Sequence, residues 1–405
     1  VKIAHLSDLH ITAGPALDDT REYLTRVVTD ILATRPDLVL ITGDLYGRAV
    51  PHRPSLAERE VLEPQLIRLA EAAPVQVLAG NHDHAEALRL VANLGGLYPI
   101  EVREQAGTCT VFTPAGPATL YWMAYPTKRW LLANAQGVGV TGARAAATTK
   151  LNGLLTAWAA SVHKHREEKP EVPVLFMGHF QVGGAMLSSG EVLQTGEIEL
   201  SRSALTSIPV HYGALGHVHE RQEIGRLWWY VGSPWPCDFG EQGVRGWHDV
   251  YVGQNHCEVD LRYSHHRPWL TLDYRWSSDR DDGEPRWIMY PGDDQFHDAT
   301  GAVVRARLVV PDIHAATCPW EGELAQLREI AHRVVPRKAI EPTERIRAPE
   351  LQQAETLEDR MRVWWGTLAS PPEEQDQVAA LAALAELREC DDDEIREATR
   401  VGVSG

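Results

Sequence analysis

Cysteine is scarce and unpatterned in this chain. The five cysteines (Cys109, Cys237, Cys257, Cys318 and Cys390) are odd in number, and no two stand at C-x-x-C spacing. That excludes a disulfide framework and a zinc ribbon, and a reducing cytoplasm is the compartment expected. Long apolar runs are missing as well. Nothing approaches the roughly 20 residues of a membrane helix, and the opening VKIAHLSD reads as a strand, so no signal peptide is expected. Positive charge is also short: 39 Lys and Arg face 56 Asp and Glu, a net charge of −17. This excludes a protein that grips nucleic acid over its whole surface. It does not exclude a nuclease, because bound metal ions invert the charge of a site. No internal repeat is present, and the one biased stretch is acidic, Glu389-Cys390-Asp391-Asp392-Asp393-Glu394.

What is present is an ordinary globular composition over 405 residues, 44% hydrophobic and 23% charged, enough for two to three domains at roughly 150 residues each. Up to about residue 260 the chain alternates strand and helix. Val1–Leu6, Leu38–Thr42 and Val75–Ala79 are apolar strands, and Thr20–Thr34 and Leu56–Ala73 carry helical spacing. Strands at 109–112, 119–125, 174–177, 213–215, 228–231, 249–252 and 258–262 follow, with a helix over 151–165. Strand–helix alternation predicts an α/β sheet with crossover helices. The composition shifts near Ser264-His265-His266-Arg267-Pro268. Residues 268–345 then read as a small α+β unit, with a strand at 302–310, a helix at 321–334 and a return strand at 338–341. Two helices, 357–368 and 373–390, close the chain around Ser370-Pro371-Pro372.

Polar residues recur where the apolar strands stop: Asp8-Leu9-His10, Gly43-Asp44, Gly80-Asn81-His82-Asp83, Gly178-His179 and Gly216-His217-Val218-His219. Sites in open α/β sheets form beyond the carboxyl ends of the strands, so these residues should meet at one edge. Glycine lets the backbone turn tightly there. Asp8 and His10 stand two apart, on one side of an extended chain. Asp44 has two oxygens to share between ions, Asn81 offers an amide oxygen, and His179, His217 and His219 offer imidazoles. A mixed N/O set without thiolate suits Mn, Fe or Zn, and two ions about 4 Å apart can clamp a phosphate and ionise a water. His82 is left over, free to protonate a leaving oxygen or to stabilise developing charge. Asp83 is placed to orient its neighbours. Taken singly, each motif reads equally well as turn or cap residues; five in order do not.

In that order the motifs D-x-H, G-D, G-N-H-D, G-H and G-H-x-H resemble the calcineurin-like metallophosphoesterase superfamily. The stretches Tyr230-Val231-Gly232-Ser233-Pro234, Asp238-Phe239-Gly240-Glu241, Gly178-His179-Phe180-Gln181-Val182-Gly183-Gly184-Ala185 and Arg267-Pro268-Trp269-Leu270 resemble its SbcD/Mre11 branch of DNA-repair nucleases. The resemblance covers about the first 345 residues. It implies a four-layer α/β metallophosphoesterase sandwich flanked by helices over 1–265, a capping domain over 266–345, and a linker with C-terminal helices over 346–405. It implies a Mn-dependent endonuclease and exonuclease acting on DNA ends and hairpins. It further implies a homodimer whose C-terminal helices bind an SMC-like coiled-coil ATPase of the SbcC/Rad50 type, cytoplasmic and associated with the nucleoid. One ion would be held by Asp8, His10, Asp44 and His219, the other by Asp44, Asn81, His179 and His217, with His82 as the catalytic histidine and Asp83 beside it.

The chain departs from the pattern after Asp44. Many members have a Phe and then a polar residue, often His or Asp; here Tyr46-Gly47-Arg48 stands, so a side chain is missing at Gly47. Arg48 is a candidate phosphate contact, against its reading as a surface-loop arginine. Among the 13 tryptophans, most read as core, and Trp235 is the candidate for stacking on a base. His211 reads as structural. Two rival functions remain: hydrolysis of small phosphodiesters or phosphoproteins, against which the G-S-P and F-G-E segments and the tail helices argue, and a non-catalytic scaffold, against which the complete ligand set argues.

Overall fold

The computed structural model describes residues 1–47, 53–126, 140–186, 198–241, 243–254, 256–277, 286–290, 298–341, 356–366, 368 and 372–389. Its strands are β1 (Lys2–Leu6), β2 (Leu38–Ile41), β3 (Val75–Leu78), β4 (Ile100–Arg103), β5 (Ala106–Thr113), β6 (Gly116–Met123), β7 (Val174–His179), β8 (Gln181–Val182), β9 (Glu199–Leu200), β10 (Tyr212–Gly216), β11 (Gln222–Gly225), β12 (Trp228–Tyr230), β13 (Gly246–Val252), β14 (Cys257–Tyr263), β15 (Trp269–Ser277), β16 (Arg286–Tyr290), β17 (Val303–Pro311) and β18 (Arg333–Glu341). The helices are α1 (Leu17–Thr34), α2 (Leu56–Ala70), α3 (Ala85–Ala92), α4 (Val140–Glu168), α5 (Arg202–Thr206), α6 (Trp320–Ile330), α7 (Leu357–Gly366) and α8 (Glu374–Glu389).

Two six-stranded sheets carry the fold, in the orders β14-β13-β1-β2-β3-β4 and β11-β12-β10-β7-β6-β5. Strands β1 to β4 run parallel, as do β6, β7, β10 and β12. Side chains alternate across a strand, and here both faces find apolar partners. Ala4, Leu6, Val39 and Ile41 pack with Leu24, Val27 and Ile31 of α1 and Val61, Leu62 and Leu66 of α2. Ile3, Leu38 and Leu40 face the other way, onto Leu120, Leu175, Met177 and Ala214 of the second sheet. That sheet's outer face, with Phe176 and Leu215, packs on Leu151, Leu155 and Val162 of α4. The layers therefore run helix, sheet, sheet, helix, the four-layer α/β arrangement expected. Burial on both faces is why the central strands read as unbroken apolar runs.

Local signals set the element ends. Ser55 and Glu58 form a reciprocal capping box at the start of α2. α6 stops at Ile330 rather than 334, because β18 has begun by Arg333; the β-branched Val334-Val335 favours the pleated surface. α4 begins well before the expected 151, where Ala- and Thr-rich turns lack an apolar stripe. α3 and β4 were not anticipated, being short and adjoining residues that read as loop.

Strands β16-β15-β17-β18 form a separate four-stranded sheet. By compactness one unit comprises Val1–Tyr274, Met289–Arg307 and Trp320–Arg337, and contains both large sheets. The other comprises Arg275–Ile288, Leu308–Pro319 and Lys338–Gly405, and contains α7 and α8. No described helix is long and apolar enough to cross a membrane.

Candidate metal centre

The ends of β1, β2, β3, β7 and β10 bring the strand-end residues of both sheets together. Four of them leave ordinary backbone space: φ is +52° at Asp8, +46° at His10, +54° at Asp44 and +94° at His217. Non-glycine residues hold such values where surrounding structure over-determines them, as at functional sites. The preceding glycines are there for room. A Cβ on Gly43, itself at φ +97°, would strike the His179 ring; one on Gly80 would strike the Asp44 carboxylate; one on Gly216 would strike Ser7 and Thr42.

Each imidazole is oriented through its other nitrogen. His10 Nδ1 donates to the Gly47 carbonyl at 2.5 Å, and His179 Nδ1 donates to the Thr42 carbonyl at 2.6 Å. His219 Nδ1 donates to the Glu241 carboxylate at 2.6 Å. With Nδ1 as the donor, Nε2 of each neutral ring is free to offer a lone pair, and the three Nε2 atoms converge. His10 Nε2 lies 2.9 Å from His219 Nε2 and 3.7 Å from Asp44 Oδ2, and His219 Nε2 lies 4.0 Å from Asp8. His179 Nε2 lies 2.8 Å from Asn81 Oδ1 and 3.4 Å from Asp44 Oδ2. His217 Nδ1 reaches the same Asn81 oxygen at 3.1 Å. Lone pairs and anionic oxygens at these separations repel unless a cation lies among them. Two ligand groups, Asp8–His10–His219 and Asp8–Asp44–His179, come within reach of a single ion each. A third, His219–Cys237–Glu241, shares His219. The donors fit divalent metal.

The electrostatics carry the same demand. Burial opposes charge on His179, but the Asp44 carboxylate beside it outweighs burial and holds its pKa up at about 9. Burial likewise pushes Asp44 up, and His179 and His10 more than reverse this, holding it well below the usual carboxylate range. His10 is lowered to about 4 by burial, against the pull of Asp44. In the absence of metal a proton on His179 does part of the work of an ion.

His82 stands apart. Its backbone N–H donates to Asp44 Oδ1 at 2.9 Å, and its Nε2 lies 4.0 Å from Asp44 Oδ2. Its Nδ1 is buried without a hydrogen-bond partner, and burial lowers its pKa. It is a neutral ring at the rim of the cluster, not tied down as its neighbours are. Asp83 is half-buried and accepts the N–H groups of Asp44, Leu45 and Gly80 at 2.9, 2.8 and 2.9 Å. It fixes the ligand loops and does not face the centre. Burial and the nearby Asp44 raise its pKa to about 7.

Two expectations change. Trp235 is 2% exposed, a member of the core around α1 with its ring centroid 6.2 Å from Tyr23; no base can stack on it. Gly47 lacks a side chain, but its carbonyl holds His10, so the position serves the site through its backbone. Arg48 lies outside the described residues. Sequence reasoning missed Gly47, Thr42 and Glu241 as orienting groups. The signal for the last was in the motifs. Glu241 of F-G-E also accepts the Cys237 N–H at 2.8 Å and the hydroxyl of Ser233 of G-S-P at 3.5 Å, so both segments brace His219. His211 accepts the Val174 N–H at 2.9 Å, a structural role as read.

A two-sheet sandwich with this cluster at its strand ends defines a metal-dependent phosphoesterase, and the chain belongs to the calcineurin-like phosphoesterase family, whose pattern matches residues 1–221. That span holds every residue of the cluster. Among curated proteins the chain is 25% identical over 256 residues to the SbcD component of the SbcCD nuclease of Escherichia coli, covering 60% of this chain and 62% of that protein's length. It is 36% identical over 89 residues to the DNA double-strand break repair protein Mre11 of Aeropyrum pernix, covering 20% of each. Among solved structures a dimetal phosphatase from Danio rerio is similar at a TM-score of 0.38 and 14% identity, over 65% of this chain and 99% of that one.

Proposed function

We propose that this chain is a two-metal DNA nuclease, hydrolysing phosphodiesters at DNA ends and hairpins as the nuclease component of an SMC-like ATPase complex. The observation that supports the chemistry is the convergence of the His10, His179 and His219 Nε2 atoms on Asp8, Asp44 and Asn81, a donor set that suits divalent cations. Asp8, His10, Asp44 and His219 would hold one ion and Asp44, Asn81, His179 and His217 the other, with Mn2+ the ion of choice for this donor set. Such a pair supplies a nucleophilic water at neutral pH and neutralises charge on the phosphoryl group.

The chain's own residues do the rest. Gly47, Thr42 and Glu241 aim the imidazoles, and Asp83 holds the loops that carry Asp44 and Asn81. His82, a neutral ring whose nitrogens are not tied to the ligand loops, would donate a hydrogen bond to the oxygen of the departing strand and stabilise its developing charge, while the attacking water supplies the proton that leaves one product with a free hydroxyl and the other with a phosphate. DNA as the substrate is supported by the similarity to the SbcCD nuclease and Mre11. The capping domain at 266–345, the homodimer and the SbcC/Rad50-type partner at the C-terminal helices belong to the same proposal.

The test is a Mn2+-supplemented assay of wild type and His82→Ala on linear DNA, hairpin DNA and a generic aryl phosphodiester. Cleavage of both DNAs, lost in the variant while metal stays bound, is the expected result. Turnover of the small ester with inert DNA would refute the substrate.

A further inference from the structure

A line of polar side chains crosses the largely apolar layer between the two sheets. His5 of β1 and His248 of β13 are cross-strand partners in the first sheet. Tyr212 of β10 and Arg221, just before β11, come from the second. All but Arg221 are fully buried. Arg221 Nε donates to His248 Nε2 at 2.9 Å, and its guanidinium lies over the Trp229 ring at 4.6 Å. His248 Nδ1 and the Tyr212 hydroxyl are 3.0 Å apart, Tyr212 and His5 Nδ1 2.8 Å, and His5 Nε2 and Thr42 Oγ1 2.9 Å. Thr42 Oγ1 ends the line on the Leu6 carbonyl at 3.3 Å.

The direction of this line is fixed. Arginine only donates, so His248 Nε2 accepts and its Nδ1 carries the proton. Tyr212 accepts that proton's bond and donates its own to His5 Nδ1, which puts the His5 proton on Nε2, facing Thr42. Burial keeps both rings neutral, His248 at about 3 and His5 well below its usual value. Each donor thus has one partner, and no link can reverse without breaking the next.

Apolar side chains would fill this layer at no desolvation cost, and a buried polar chain is tolerable only when every member is satisfied. The line ends at Thr42, whose carbonyl accepts from Ser7 Oγ at 3.1 Å and His179 Nδ1 at 2.6 Å. His179 belongs to the second sheet and Thr42 to the first. We infer that Arg221, His248, Tyr212 and His5 are positioning residues, a one-way hydrogen-bond chain that crosses between the sheets and sets the register of the two halves of the metal centre. The inference rests on the two-ion reading above, not on DNA as substrate.

The test uses full-length wild type, Tyr212→Phe, Arg221→Met and Arg221→Lys. Calorimetry gives the number and affinity of bound Mn2+ ions, and low-temperature electron paramagnetic resonance gives the fraction present as spin-coupled pairs. Circular dichroism of the chelated proteins checks folding. Loss of a partner bonded directly to a ligand typically costs about 10- to 100-fold in metal affinity; Tyr212 acts through His5 and Thr42, so Tyr212→Phe should sit at the low end, about 10-fold for one of two ions, with coupled pairs giving way to isolated ions. Arg221→Met should weaken the same step, and Arg221→Lys, which keeps a donor, should recover part of it. If Tyr212→Phe does not fold, the Arg221 pair decides. Folded variants that bind two coupled ions as tightly as wild type overturn the inference alone. A wild type that takes up no pair overturns the two-ion reading and this inference with it.

Discussion

The imidazole of His82 differs from its neighbours in what its ring nitrogens meet. His10, His179 and His219 are each tied through Nδ1, whereas His82 Nδ1 is buried and unpaired. His82→Ala should therefore lower turnover by about 100- to 10,000-fold and leave two ions bound, as read by metal analysis beside steady-state kinetics. Trading His179's proton for an ion makes metal uptake pH-dependent. His179 is held protonated up to about pH 9, so at pH 7 loading releases close to one proton from it. Measured affinity should climb with pH and level off near 9. The sign for stability is opposite. His179 is raised from 6.5 to about 9 and Asp83 from 3.8 to about 7. Each stabilises the metal-free fold fully below its unfolded value and loses that contribution as pH rises through its folded one. Burial lowers His5, His10 and His248, which works the other way below about pH 6.5, so the test lies between about pH 7 and pH 9: there the metal-free chain should melt at progressively lower temperature as His179 loses its proton, and the loaded chain should show a flatter profile in the same thermal scans.

At the scale of elements, strand ends set the chemistry and helix caps do not. Gly43→Ala forces a Cβ into the His179 ring at a backbone angle of φ +97°; metal affinity and stability should both fall. Ser55→Ala removes the capping box of α2, which contributes no ligand, and should cost about 1 kcal/mol in denaturant unfolding while two ions still bind. The elements that sequence reading found and those it missed divide along the same physics. β1, β2, β3 and β7 are buried on both faces and bounded by Gly and a polar ligand, so run and boundary are both visible. α3 and β4 are short, and the first turns of α4 are helical through Ala-rich propensity rather than an apolar stripe. The ligands were legible because each follows its own strand. Of their orienting groups, Gly47 and Thr42 were not, because each acts on a residue far along the chain through a backbone carbonyl that has no signature in sequence, whereas Glu241 stood in the F-G-E motif without its partner being visible. Trp235 was misread for the complementary reason: proximity to the G-S-P segment says nothing about which way a ring faces.

On the scale of the whole molecule, the net charge of −17 and the metal centre belong to one account. An acidic chain gathers phosphate only where cations are held, so substrate capture should depend on the ions. Removing metal with a chelator should abolish turnover of any phosphodiester while both sheets stay folded, since each is closed by its own apolar layers. The number and place of those ions decide the chemistry. Anomalous diffraction from crystals grown with Mn2+ measures this most directly. It should show two peaks flanking the Asp44 carboxylate, one among Asp8, His10 and His219 and the other among Asn81, His179 and His217. A single peak, or ions bound away from these side chains, would contradict it.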